Sequence, residues 1–255
     1  MNESNLGSRS IDETIVTDDS EKVESHHENE VTSSRTVRLL ELLVFVFLLI
    51  PSMMLSFFAA GRAGLRFEVV AVATMMRDLS LVSLILFFLW RNDEGLGQIG
   101  WTSRNGLREV LLGVVLFLPF SFGAEWIQSA LSPAGFSASP RKVPSFLLPA
   151  GTAQILSAFL LVVVVAVSEE VIFRGYLILR LQTVTSSQVA AVFLSSAIFS
   201  FGHGYEGMGG IFVTSVMGLM LGLVYLWRRS LVAPMVMHFL QDFIGLVLLP
   251  LSGIN

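Results

Sequence analysis

The run ILSAFLLVVVVAV over residues 155–167 carries no charge, and SEEVIFRGYL over residues 168–177 follows it directly. Continued to about residue 181, the stretch exceeds the roughly 20 apolar residues a helix needs to cross a bilayer. Glu169 and Glu170 therefore sit side by side in a segment that otherwise belongs in hydrocarbon. A charge at that depth costs at least roughly 3 kcal/mol, and adjacent carboxylates also repel each other. Such groups are a functional-site hypothesis by default, and the run around them makes the chain a membrane protein.

The rest of the chain agrees. It has 255 residues, 53% of them hydrophobic, a mean hydropathy of +0.72 and only 14% charged residues. A soluble domain carries about 25% charged residues. The net charge of −4 is dominated by the first 38 residues, which hold nine of the twenty acids. Residues 1–34 are polar, acidic and rich in Ser and Glu, and are expected to be a disordered cytoplasmic tail. The chain has no Cys, which excludes disulfides, thiol catalysis and Cys-ligated zinc.

Residues 35–255 divide into apolar blocks, giving an all-α fold: a polytopic transmembrane bundle of about seven helices. They are expected near 37–59, 68–90, 107–131, 151–181, 187–203, 208–228 and 231–250. Basic residues set the orientation. With the N-terminus cytoplasmic, inside segments hold Arg35, Arg38, Arg91, Arg104, Arg108, Arg180, Arg228 and Arg229, and outside segments hold Arg62, Arg66, Arg141 and Lys142.

Three of the last four helices carry a small polar cluster. In the fourth, Glu170 and Arg174 are four apart and face each other, and a bidentate pair would lower the cost of burying both. Glu169 is rotated about 100° away and has no local partner, which suits a general base or acid. The fifth helix is expected to end at His203, on one face with Phe199. The seventh places His238 and Asp242 four apart. Polar groups in a membrane bundle point inward, so the three clusters are expected to converge. In the sixth helix Thr214, Gly218 and Gly222 recur every four residues, a spacing that lets helices approach closely. Arg77-Asp78 in the second helix and Glu125 in the third suit either structural pairs or a proton path.

Two carboxylates and two imidazoles, without a nucleophilic Ser or Cys motif, suit the activation of water. Glu169 would take a proton from water that His203 orients, and His238 would donate to the oxyanion. No cofactor is assigned. The alternative is a divalent metal such as zinc held by Glu169, His203 and His238, although the helical zinc motif HExxH is absent.

Glu169-Glu170-x-x-x-Arg174, Phe199-x-x-x-His203 and His238-x-x-x-Asp242, in this order, resemble the CAAX protease and bacteriocin-processing (CPBP) family. These are intramembrane glutamic proteases related to type II CAAX prenyl endopeptidase. The resemblance spans roughly residues 100–245 and takes in Ile99-Gly100-Trp101 and Arg108-Glu109. It implies that Glu169 is the general base and His203 its water-orienting partner. It also implies that Glu170 belongs to the catalytic set beside Arg174, and that His238 stabilises the oxyanion. Asp242 departs from the eukaryotic enzymes, which resemble one another in having Asn there. An amide donates to an oxyanion and an ionised carboxylate repels it, so Asp242 is either protonated, an orienter of His238, or a group that favours a metal.

The expected activity is hydrolysis of a peptide bond in a membrane-associated protein or peptide, either CAAX-type or bacteriocin and peptide processing. The expected partners are that substrate and the lipid bilayer, with no nucleic acid. The expected location is the cell membrane. Rival readings are a non-enzymatic bacteriocin-immunity or membrane scaffold protein, and an ion or proton transporter.

Overall fold

In a computed structural model of the chain, residues 35–58, 65–102, 105–134 and 145–252 are described. The tail at 1–34 lies outside them, as do Arg62, Arg104, Arg141 and Lys142 of the charge pattern. Among the described residues there is no strand. The helices are α1 (Arg35–Phe58), α2 (Phe67–Arg91), α3 (Gly106–Leu131), α4 (Thr152–Thr185), α5 (Gln188–Phe201), α6 (Gly207–Arg228) and α7 (Val232–Leu251).

Six of these, all but α5, are long and apolar enough to cross a membrane. The protein is a multi-pass membrane bundle. At about 1.5 Å per residue α5 spans only about 21 Å, short of the roughly 30 Å hydrocarbon core. The outward faces are apolar: Phe47, Phe122 and Trp126 are 70% or more exposed. That pattern suits a lipid solvent, because water would penalise such a continuous apolar surface.

The helix of the opening motif lies at the centre. The first turns of α4 pack with α2 and α7 through Ala71, Ala158, Val162 and Val247. Further along, Ile172, Tyr176 and Leu177 pack with Phe45 of α1, Ile85 of α2 and Val192 of α5. A third cluster joins α3, α6 and α7 through Phe117, Phe120, Leu221 and Met237. Between Glu170 and Leu177, α4 widens into a π-helical segment, and all eight of its residues are buried. Such wide turns occur often at functional sites. A Cβ on Gly175 would lie 3.1 Å from the Ile99 carbonyl oxygen, so Gly175 lets the connector before α3 rest on α4.

Charged side chains join the bundle at one rim. Arg180, at the end of α4, donates to Glu94 Oε2 (2.6 Å) and lies 3.3 Å from Glu41 Oε2. Arg38 also pairs with Glu94, and Arg91 donates to Glu41 (2.6 Å). The start of α1 and the ends of α2 and α4 are therefore on the same side. Beyond this rim Ser186, at φ 55°, ends α4, and the Ser187 hydroxyl accepts from Ala190 N (3.2 Å) to begin α5. Arg35 donates to Ser186 (2.8 Å), which keeps the start of α5 at the rim.

Candidate active site in the bundle core

Glu169 is the last residue of regular helix in α4, and Glu170 opens the π segment. Both lie ten or eleven residues from Arg180, roughly 15 Å below the rim. Neither is at a helix end open to water: Glu170 is 0% exposed and Glu169 8%.

Arg174 Nη1 donates to Glu170 Oε1 at 2.8 Å, so the expected pair forms. It is not bidentate. The second terminal nitrogen, Nη2, donates instead to the Gly218 carbonyl of α6 (3.3 Å). The reason is the close approach of α6. A Cβ on Gly218 would stand 3.1 Å from Phe199 Cδ1 and 3.4 Å from Ser196 of α5. The small residues in α6 thus bring its backbone within reach of Arg174.

His238 of α7 stands among three carboxylates. Its Nδ1 donates to Glu170 Oε1 at 2.8 Å, and its Nε2 lies 3.4 Å from Asp242 Oδ2 and 3.8 Å from Glu169 Oε2. A carboxylate oxygen only accepts, so both ring nitrogens face groups that take a donated proton. Glu170 is consequently shared between Arg174 and His238, and Asp242 lies where it can orient the imidazole.

Glu169 meets a partner from another helix. Arg77 of α2 donates from Nη2 to Glu169 Oε1 at 3.4 Å. The helical spacing within α4 cannot reveal a cation on another helix, and in sequence Arg77-Asp78 suits either a structural pair or a proton path. Glu169 Oε2 and Glu170 Oε2 are buried and accept no hydrogen bond from the protein.

His203 is placed differently from its expectation. α5 stops at Phe201, and His203 lies in the turn that follows, where its amide donates to the Ser200 carbonyl (3.0 Å). Its Nδ1 donates to the Phe199 carbonyl (3.2 Å). Among the described residues no hydrogen bond links His203 to Glu169. Phe199 stands between the groups: its ring centre is 4.4 Å from the Arg174 guanidinium, 4.8 Å from the His203 ring and 6.0 Å from the His238 ring. Tyr205, two residues on, stacks near His203 at 5.9 Å and was not anticipated. Glu125 is exposed on α3. Among the described residues no three His, Asp or Glu side chains are grouped to hold a metal ion, the set Glu169, His203 and His238 included.

The same part of the chain carries the family match. Residues 151–244 match the family described as Rce1-like, type II CAAX prenyl endopeptidase. No curated protein and no solved structure matches the chain. The matched segment begins at α4 and runs into α7, so it contains all three motifs. Helices α4 to α7, which hold the converging carboxylates and imidazoles, are thus the part of the chain that is similar to Rce1-like, type II CAAX prenyl endopeptidase.

Proposed function

We propose that the protein is an intramembrane endopeptidase that hydrolyses a peptide bond of a membrane-associated protein or peptide. The observation that carries this reading is Glu169. It is a mid-depth carboxylate with one oxygen tied to Arg77 and the other free of protein hydrogen bonds beside His238. Glu169 Oε2 takes a proton from water, and the water oxygen attacks the peptide carbonyl carbon. His238, held by Glu170 and oriented by Asp242, donates to the oxyanion. Glu169 then passes its proton to the amide nitrogen as the C–N bond breaks. His203, across Phe199 from this pair, orients the water. Arg174 holds Glu170 in place.

The substrate class follows the family: prenylated CAAX proteins or processed membrane peptides. The protein resides in the cell membrane with its N-terminus cytoplasmic. Supporting this, Arg35, Arg38, Arg91 and Arg180 gather at or beside one rim, and basic residues favour the cytoplasmic side.

The test uses wild type, Glu169→Ala, His203→Ala and His238→Ala in detergent, without any gradient, on a library of membrane-tethered peptides that includes prenylated CAAX sequences. Wild type releases a peptide and the three variants do so at least about 100-fold more slowly. Equal rates for wild type and Glu169→Ala would remove Glu169 from the chemistry. Ion flux in proteoliposomes from a wild type that cleaves nothing would favour the transporter reading. Activity is expected to persist after chelation with metal content checked; loss restored by zinc would overturn this mechanism.

A further inference from the structure

Arg77 and Asp78 stand near the middle of α2, outside the segment that matches the family. Asp78 is fully buried, and the Arg77 side chain is one-third exposed. Arg77 Nε donates to Asp78 Oδ1 (2.8 Å), and Nη2 lies 2.6 Å from the same oxygen and 3.4 Å from Glu169 Oε1. Three charges from two helices thus lie in a row at membrane depth.

A salt bridge for its own sake is a poor explanation. An Arg within a membrane helix normally runs its long stem along apolar surface to carry the charge to the interface. Here the side chain is turned inward, bound at its root by a buried neighbour, and its tip meets a single oxygen of Glu169. The contact is also one-sided. Oε1 faces Arg77, whereas Oε2 faces His238 Nε2 and accepts nothing from the protein.

We propose that Arg77 is a positioning residue for the hydrolytic reaction. It holds Glu169 by Oε1 and so fixes Oε2 as the oxygen that faces the water, with Asp78 anchoring the guanidinium. This rests on the reading of Glu169 as the general base. A carboxylate free to rotate would present either oxygen, and misplacement of a reacting group by about 1 Å can cost about 100-fold in rate. Arg77 itself touches neither water nor substrate in this role.

The experiment takes the full chain in detergent with a membrane-tethered peptide that wild type cleaves. It compares wild type, Glu169→Ala, Arg77→Ala, Arg77→Lys and Asp78→Asn, with thermal melting of each. Arg77→Ala lowers kcat by about 100-fold while KM changes by less than about 3-fold, since the lost interaction does not bind substrate. Arg77→Lys keeps more of the rate than Arg77→Ala. Added guanidinium chloride raises the rate of Arg77→Ala, whereas the same concentration of sodium chloride does not, and neither raises that of Glu169→Ala. Wild-type kcat in Arg77→Ala, or a loss confined to KM, overturns the proposal. If Arg77→Ala does not fold, Asp78→Asn and Arg77→Lys decide. A lowered kcat with unchanged melting supports the role, and wild-type kcat in both ends it. Glu169→Ala separates the two levels of the argument. If it cleaves like wild type, the base assignment falls and the role of Arg77 with it. If it is inactive while Arg77→Ala and Asp78→Asn are normal, only the role of Arg77 falls.

Discussion

Glu170 and His238 are joined by a 2.8 Å hydrogen bond between residues 68 positions apart, which fastens α7 to the π segment of α4. The same Glu170 oxygen accepts from Arg174. One buried carboxylate thereby fixes a cation one turn nearer the rim and an imidazole on another helix. Glu170→Gln leaves Arg174 without its counter-charge in a dry site, which costs about 3–5 kcal/mol. The expected outcome is a lower melting temperature together with lost turnover. Unchanged melting with lost turnover would confine Glu170 to the chemistry.

Glu169→Gln keeps the shape of the side chain and removes the base. Turnover is expected to fall by about 100-fold to 10,000-fold. Melting is expected to change little, because Glu169 meets its cation only at 3.4 Å and Arg77 retains Asp78. Parallel melting and single-turnover measurements check this. A collapse of melting would make Glu169 a structural carboxylate.

Asp242→Asn changes charge but keeps an oxygen that can face His238 Nε2, now 3.4 Å from Oδ2. Its amide also adds a donor for an oxyanion. The variant is expected to retain turnover within about 10-fold of wild type, whereas Asp242→Leu, which leaves His238 without that neighbour, loses more. The ratio of the two kcat values is the readout.

At the rim, burial opposes ionisation of Glu94, but hydrogen bonds from Arg180 and Arg38 outweigh it and hold the carboxyl below its ordinary value of 4.5. The folded protein therefore binds a proton there less readily than the unfolded chain does. The resulting stability is complete above about pH 4.5 and is lost as pH falls through the lower folded value. Melting measured from pH 6 downward is expected to drop over that range, and Glu94→Gln is expected to flatten the drop. Arg180→Ala leaves Glu41 with Arg91 and Glu94 with Arg38, so its cost at neutral pH is expected to fall below the about 3–5 kcal/mol of a wholly unpaired buried charge.

Gly218→Val places a side chain against Phe199 and Ser196, where a Cβ alone comes within 3.1–3.4 Å. Overpacking of this kind costs about 1–3 kcal/mol. It also pushes the Gly218 carbonyl away from Arg174. Gly218→Ala is expected to be milder in both melting and turnover, and equal effects would show that α6 is not held at this spacing.

The sequence made the seven helices legible because the solvent imposes their length and apolar character. It made Glu170–Arg174 and His238–Asp242 legible because four-residue spacing fixes which groups share a helix face. Arg77–Glu169 and His238–Glu170 were not legible in this way. Their partners are 92 and 68 residues apart, and only the packing of α2 and α7 on α4 brings them together. The π segment left no local mark either: its composition suits an ordinary helix. His203 was expected at the end of its helix and lies two residues beyond it, in the turn that follows Phe201.

The shortness of α5 has an effect on α1. Because α5 starts at the rim and reaches only about 21 Å, the turn bearing His203 lies within the hydrocarbon thickness. Backbone groups at that depth need partners from the protein. The Gly204 amide finds one in the hydroxyl of Ser56 (3.2 Å), whose proton is shared between the Met53 carbonyl of its own helix (2.7 Å) and the Phe201 carbonyl (3.3 Å). The first helix, far outside the segment that carries the motifs, thereby acts as a surrogate for water at the turn. Trimmed to residues 151–244, the chain would keep the three polar motifs and lose the hydroxyl that accepts from that amide.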